Sequence, residues 1–455
     1  MVIGASTGQL PPLPMEGSLP PDLEGTLFRV GPADGDAGSL PGALHAVELR
    51  DGRAVSYLRR ESPADSGVFW HAGALLALPE AGVPVQYTRL LEPQEFEGGL
   101  TVPIASHVHR RAADGSRVLF AVDDGAVDAR GDEGVFLRLG EWDAGGALQH
   151  SQSVVLERAT WQHDLGVTTG HVVFIESPTS RLADAPADES TTEDGALAAD
   201  ERAGVPRVPF AWLPGAEGWV GVVPRNGDGS SVRWFRVDPC LVTHVLGAWD
   251  GADGEIVLYV CRYDAPEAGQ AVDLAASVVG DGVGLSPIGG SLPLLERWSL
   301  VGDRLERTQV DDRHVEYPRL DPMCEGGSFR FGYAVELVWS GDAQTGSRGA
   351  LSGSGAGVSP SGILKFDFAR DESAAWRPTA GAVPSEPLFA RASDGHNDEE
   401  GWLLCLVDEP DRGATDLVVL DASALGRRRP EAVIHLPVRL PRRAHGEWVP
   451  ADRYR

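Results

Sequence analysis

Residues Trp161–Ile175 read WQHDLGVTTGHVVFI. A His and an Asp stand side by side, and a β-branched run follows at His171–Ile175. That run reads as a strand, with His163 at the inner end of a pleated element and the Asp164 carboxylate placed to accept a hydrogen bond from neighbouring backbone. One histidine on one strand is most simply a satisfied core residue. Three further strand-like stretches, far apart in the chain, carry a histidine in a similar setting, and this changes the reading.

Outward from this stretch the same unit recurs: a short strand, a Gly/Asp turn, a short strand. Asp22–Pro32 closes on Gly-Pro. Ala43–Leu49 runs into Asp51-Gly52, a hairpin signal, and Ala54–Leu58 resumes. Val68–Leu78 is apolar up to Pro79-Glu80, and Val102–Val108 and Val118–Val122 follow. Asp-Gly pairs recur at Asp124-Gly125, Asp228-Gly229, Asp253-Gly254 and Asp281-Gly282. Amphipathic helical stretches are scarce, so the class is all-β. At 455 residues a closed β-propeller fits better than a sandwich, because radial repetition buries strands without long exposed edges. The dipeptides Trp142-Asp143 and Trp249-Asp250 do not recur at a blade period of roughly 40–45 residues, so the blade count does not follow from spacing. Residues 1–455 read as a single domain. Residues 181–204 form an acidic surface insertion, and 342–360 a Gly/Ser-rich loop.

Composition narrows the partners. Lys and Arg number 39 against 67 Asp and Glu, a net charge of −28, which disfavours nucleic acid and anionic membrane. Lys365 is the lone lysine. The four cysteines have no CxxC spacing and read as small buried hydrophobes in a reducing compartment. The Pro-rich start has no signal-peptide pattern, and no apolar run is long enough to span a membrane. The expectation is a cytoplasmic protein, with peripheral membrane contact if its ligand is lipid-soluble.

His107 (in ASHVHRR), His163, His244 (in LVTHVLGAW) and His445 (in RRAHGEW) make no local metal motif. In a propeller, inner strands converge on the axis, and one histidine from each of four blades can meet a single ion there. Four neutral imidazoles around a divalent ion leave open positions in an octahedral shell, which suits a redox metal better than structural zinc. His109 shares a strand face with His107 and competes for that position. Imidazole ligands usually donate their second N–H to a carboxylate, a carbonyl or water. Glu80, Glu316 and Glu386 lie in apolar, Pro-adjacent stretches and are candidate acceptors.

Several stretches, in this order, resemble the carotenoid cleavage oxygenases, the family of bacterial apocarotenoid and lignostilbene dioxygenases and of the retinoid isomerase of the retinal pigment epithelium. They are LEGTLFRVGP from Leu23, FWHAGALLALPEAGVP, WQHDLGVT, GWVGVVPRNG, VRWFRVDPCLVTHVLGAWD, EYPRLDP, SEPLF and HGEWVP ending at Pro450. The resemblance implies a seven-bladed propeller with a cap of loops and short helices over an axial Fe(II), one per chain. It implies His107, His163, His244 and His445 as ligands, with Glu80, Glu316 and Glu386 orienting His163, His244 and His445 in turn. Ser66 falls nearest to the family's threonine on the O2 side. The implied activity is cleavage of a C=C bond of a carotenoid or apocarotenoid by O2 to carbonyl products. The substrate would lie in an apolar tunnel, with Trp and Phe residues either lining it or filling the core.

This chain departs from the family around the third histidine, where THVLGAWD replaces Phe-His-x-x-Asn-Ala-x-Glu, and at the early Phe-Asp-Gly-x-Gly-Met stretch, replaced by GDAGSLPGALHAV. Stilbene-cleaving members carry a lysine where this chain has Pro79, which weighs against a stilbenoid substrate. The alternatives are a stilbenoid-cleaving dioxygenase and a non-catalytic propeller that binds an apolar ligand. Oligomeric state is not legible.

Overall fold

The computed structural model describes residues 12–32, 42–79, 83–95, 105, 107–110, 114–127, 133–181, 210–266, 290–340, 357–440 and 445–454. Turn chemistry cuts the chain into strands. Asp51 and Gly52 adopt φ of 50° and 68°, the left-handed pair that matches the twist of a two-residue hairpin. They join Gly42–Arg50 to Arg53–Ser62. Val68–Leu78, read above as one apolar stretch, is two strands, Gly67–His71 and Ala74–Leu78. Ala72 (φ 48°) and Gly73 (φ 83°) turn between them; alanine there carries none of the usual turn signal. Asp124-Gly125 does the reverse. It is no turn but a bulge inside Arg117–Val127, where the pairing with Glu133–Trp142 slips between Asp124 and Ala126.

The strands pair antiparallel into seven blades, as the fold expected from the resemblance requires. Blade 1 joins the C-terminal strand His445–Pro450 to Gly25–Pro32, Gly42–Arg50 and Arg53–Ser62, so the two ends of the chain close the ring. Blade 2 begins at Gly67–His71, blade 3 at His109–Arg110, blade 4 at Gly166–Val167 and blade 5 at Cys240–Asp250. The strand Arg304–Arg319 serves two blades. Its first half pairs with Leu294–Val301 as the rim of blade 5, and His314–Arg319 pairs with Phe331–Ser340 to open blade 6. Blade 7 begins at Val383–Arg391 and takes Met15–Gly17 as an extra edge strand.

Seven hydrophobic clusters hold the ring, each between consecutive blades. The strand Ile256–Asp264 shows how. Ile256, Leu258 and Val260 face the blade 4 side, while Val257, Tyr259 and Cys261 face blade 6. With both faces buried, the strand reads as a continuous apolar run. Burying one such side chain stabilises by about 1.5–3 kcal/mol.

Among the described residues there is no α-helix, only short 3-10 turns such as Pro322–Cys324. The acidic insertion, apart from Arg181, falls outside the described residues. The Gly/Ser-rich stretch 342–360 is not loop throughout: Gly357–Pro360 begin the strand Gly357–Asp367, and 342–356 lie outside the described residues.

Candidate metal centre

Irregular pairing aims the site residues inward. The ladder between Cys240–Asp250 and its neighbour slips between Val242 and His244 and again between Val245 and Gly247. Slips also occur between Glu316 and Arg319 and between Pro384 and Pro387, which bracket Glu386. A bulge breaks the two-residue alternation and re-aims one side chain. Near Glu386 the cause is chemical, since Pro384 and Pro387 have no N–H for the ladder. His107 and His163 stand just ahead of the first strands of blades 3 and 4, and His445 opens its strand.

These four histidines meet. One ring nitrogen from each of His107, His163, His244 and His445 lies within 4.8 Å of the others. Ring centroids are 4.5 Å apart for His107–His445, 4.7 Å for His107–His163 and 5.0 Å for His107–His244, all edge to face. Nε2 of His107 and of His244 is buried, with no hydrogen-bond partner among the described residues. Buried nitrogens left open in one focus fit a metal ion, and an all-imidazole set suits a first-row transition metal. His109 is not part of the set; its Nε2 lies 2.6 Å from Asp164. The axis therefore selects His107 over its neighbour.

Two of the three expected carboxylates are in place. His244 Nδ1 donates to Glu316 at 2.5 Å, and His445 Nδ1 donates to Glu386 at 2.8 Å. Each contact puts the proton on Nδ1 and leaves Nε2 as the lone-pair donor. Glu80 lies outside the described residues. Ser66 donates its hydroxyl to Asp65 at 3.1 Å and is not among the residues that line the axial cavity.

Burial drives the His107 imidazole well below its ordinary pKa, helped by the three neighbouring histidines. Burial likewise lowers His445, although Glu386 opposes it. At His244 burial is outweighed by Glu316 and the value rises. Glu386 is held well below the carboxylate range, because Arg319, His445 and Arg29 overcome its burial.

Sequence reasoning missed the residues behind these. Thr243 and Tyr263 donate their hydroxyls to Glu316. Tyr317 adopts φ of 53°, an outlier for a bulky residue. That turn lets its own N–H reach Glu316 at 2.7 Å, and its ring lies 5.5 Å from His244 and 5.6 Å from His445. Asp164 accepts from Leu165 N–H and Val245 N–H, both at 2.8 Å, tying blade 4 to blade 5. The signal available was the Asp beside His163, read as an acceptor from neighbouring backbone.

A cavity of about 120 Å³ adjoins the histidines. Its wall runs along the inner strands in the chain direction, from His244 to Ala248 and from His445 to Trp448. Its ionisable lining includes His109, Asp164, Arg117, Arg319 and Glu447. These groups are paired, with Arg117 on Glu447 at 2.8 Å and Arg319 on Glu386 at 2.7 Å. Phe69, Tyr317, Phe389 and Trp448 also border the cavity, so some aromatics line it while others pack elsewhere. Trp142 and Trp298, for example, fill cores between blades.

The family profile described as retinal pigment epithelial membrane protein matches residues 38–450. A carotenoid cleavage oxygenase of Mycobacterium tuberculosis is 28% identical over 96% of this chain and 94% of its own length. An isoeugenol monooxygenase of Pseudomonas putida is 24% identical over 85% of this chain and 74% of its own. The crystal structure of Pseudomonas brassicacearum lignostilbene dioxygenase covers 98% of this chain and 96% of that one, with a TM-score of 0.76 and 22% identity. A four-histidine axis in a seven-bladed ring, with this profile across nearly its whole length, places the chain in the carotenoid cleavage oxygenase family, that of the retinal pigment epithelial membrane protein.

Proposed function

We propose that the protein is a non-haem iron(II) dioxygenase that splits a C=C bond of a carotenoid or apocarotenoid, with residues 1–455 acting as one propeller unit. The alkene and one O2 give two carbonyl fragments, each taking one oxygen atom. The observation that carries this reading is the focus of four ring nitrogens, two of them on imidazoles held by buried glutamates. Iron(II), one per chain, supplies O2 binding when bound. The protein's residues do the rest. His107, His163, His244 and His445 hold the metal, Glu316 and Glu386 fix the tautomers of His244 and His445, and Glu80 is assigned to His163. The packed inner strands exclude bulk water from the imidazoles. A binding propeller has no use for buried imidazoles with open nitrogens, since each unsatisfied polar atom costs about 1–3 kcal/mol.

Stilbenoid or phenylpropenoid cleavage is the second reading, favoured by the similarity to isoeugenol monooxygenase. Pro79, with no cation to polarise a phenolate, argues against it. A cytoplasmic location agrees with four free cysteines. Among the described residues no helix is long and apolar enough to cross a membrane. Contact with lipid, where a polyene resides, is then peripheral. The test is to load the protein with iron anaerobically, offer carotenoids, apocarotenals, stilbenes and isoeugenol with O2, and identify the aldehydes. Zinc found in a closed site, or no cleavage by iron-replete protein, would refute the reading.

A further inference from the structure

Glu316 and Glu386 hold their histidines by the same contact in different electrostatic company. The other donors to Glu316 are neutral: the Thr243 hydroxyl, the Tyr317 N–H at 2.7 Å and the Tyr263 hydroxyl at 3.4 Å. Among the described residues it forms no ion pair with arginine or lysine. Glu386 is gripped by two guanidiniums. Arg319 places Nη2 at 2.7 Å and Nε at 2.9 Å, and Arg29 places Nη1 at 3.4 Å. The side chains of Arg29 and Glu386 are 2% and 1% exposed.

A carboxylate that receives an imidazole N–H draws on that proton and enriches the ring, which makes it a stronger donor and favours the higher oxidation state of a metal. A cation sharing the carboxylate reduces that draw. Charge adds to the effect. Two carboxylates offset a bound dication, and two guanidiniums restore two positive charges, so one further positive charge on the metal is disfavoured in this buried setting.

We propose that Arg319, backed by Arg29, is a positioning residue that weakens the pull of Glu386 on His445, leaves His445 a poorer donor than His244 and holds the bound metal in its divalent state. The proposal rests on the iron reading above and adds to it a division of labour between the two glutamates. It names Arg319 as the adjustable member, because that side chain borders the cavity while Arg29 is enclosed.

The test uses the full chain loaded anaerobically with iron(II), as wild type, Arg319→Gln and Arg319→Lys. Glu386 keeps Arg29, the Gly446 N–H at 3.0 Å and His445 as donors in all three, so no buried charge loses its last partner. Ferric and ferrous fractions are measured by spectroelectrochemical titration, and iron content alongside. Arg319→Gln should raise the ferric-to-ferrous ratio at fixed potential about tenfold, a midpoint lower by about 59 mV for one electron. Arg319→Lys, which keeps the charge, should stay within about twofold of wild type. A Gln variant within twofold of wild type, or equal shifts in Gln and Lys, overturns the proposal. A folded Gln variant that sheds iron also overturns it, because Arg319 would then merely hold Glu386 in place. Wild-type protein that takes up no iron overturns the proposed function and this proposal with it. An iron site whose potential ignores Arg319 overturns this proposal alone.

Discussion

Glu386→Gln preserves side-chain volume and removes one charge, so from the sequence it promises a folded protein with a weakened site. The structure makes the change more severe. One carboxylate oxygen accepts from His445 at 2.8 Å and from Arg319, and the other accepts from Gly446 N–H at 3.0 Å and lies 3.4 Å from Arg29. Whichever way a glutamine amide turns, its NH2 meets two N–H donors. Arg29, 2% exposed, loses the one anion paired with it among the described residues, and breaking a buried pair from one side costs about 3–5 kcal/mol. Loss of the acceptor on His445 adds about 10–100-fold in metal affinity. Both losses are predicted. The first is read as a fall in the apparent urea midpoint of metal-free protein, the second as iron retained after dialysis against a weak chelator. The matched control is Glu306→Gln, at an exposed position. Glu399 and Glu400, in a turn that reads as exposed, do not serve. Glu399 pairs with Lys365 at 2.5 Å, and Glu400 accepts from His396 N–H at 2.6 Å and Asn397 at 2.7 Å. Metal-free Glu386→Gln protein within about 0.5 kcal/mol of the control would refute the buried-pair argument.

His107→Ala should abolish iron binding while His109→Ala retains it, because Asp164 keeps two backbone donors without His109; metal stoichiometry decides, and the opposite pattern would show that the axis uses the other histidine. Asp250 accepts from Gly170 N–H at 2.8 Å, Thr168 at 2.9 Å and His171 at 2.7 Å. Burial alone would raise its pKa, but these donors outweigh that and lower it. Its contribution is therefore present above the unfolded carboxylate pKa of about 3.9 and lost as pH falls through the lower folded value. Asp250→Asn should cost about 1–2 kcal/mol at pH 7, discounted because the group is partly exposed, and the gap from wild type should close in acid; thermal melts across pH test this, and a gap that widens in acid would reverse the sign. Binding to neutral vesicles should be unchanged between roughly 0.1 and 0.5 M salt, since apolar contact and not charge would hold a protein of net charge −28 on lipid; release by salt in a sedimentation assay would contradict it.

What the sequence by itself determined was local. Asp51-Gly52 marked a hairpin because two adjacent residues suffice to set a left-handed pair. The run Val118–Val122 marked a strand, and its two faces do enter two different cores, Val118 and Phe120 in one and Leu119 in the other. Histidines at strand starts, with glutamates in apolar Pro-adjacent stretches, marked a site, and the resemblance supplied its chemistry. Tertiary structure alone decided how these parts meet. Nothing in Arg304–Arg319 announces that one strand serves two blades, because that depends on the partners on either side of it. His107 and His109, two residues apart, read as equivalent on one strand face, and only the closed ring separates them: His107 joins the other three histidines while His109 turns to Asp164. Arg29 and Glu386 are 357 positions apart and come together because the C-terminal strand pairs with the first strand of blade 1. No interaction between neighbouring residues encodes that contact. It is stabilised only after the whole chain has given up its conformational freedom, and for that reason the electrostatics of the centre became legible last.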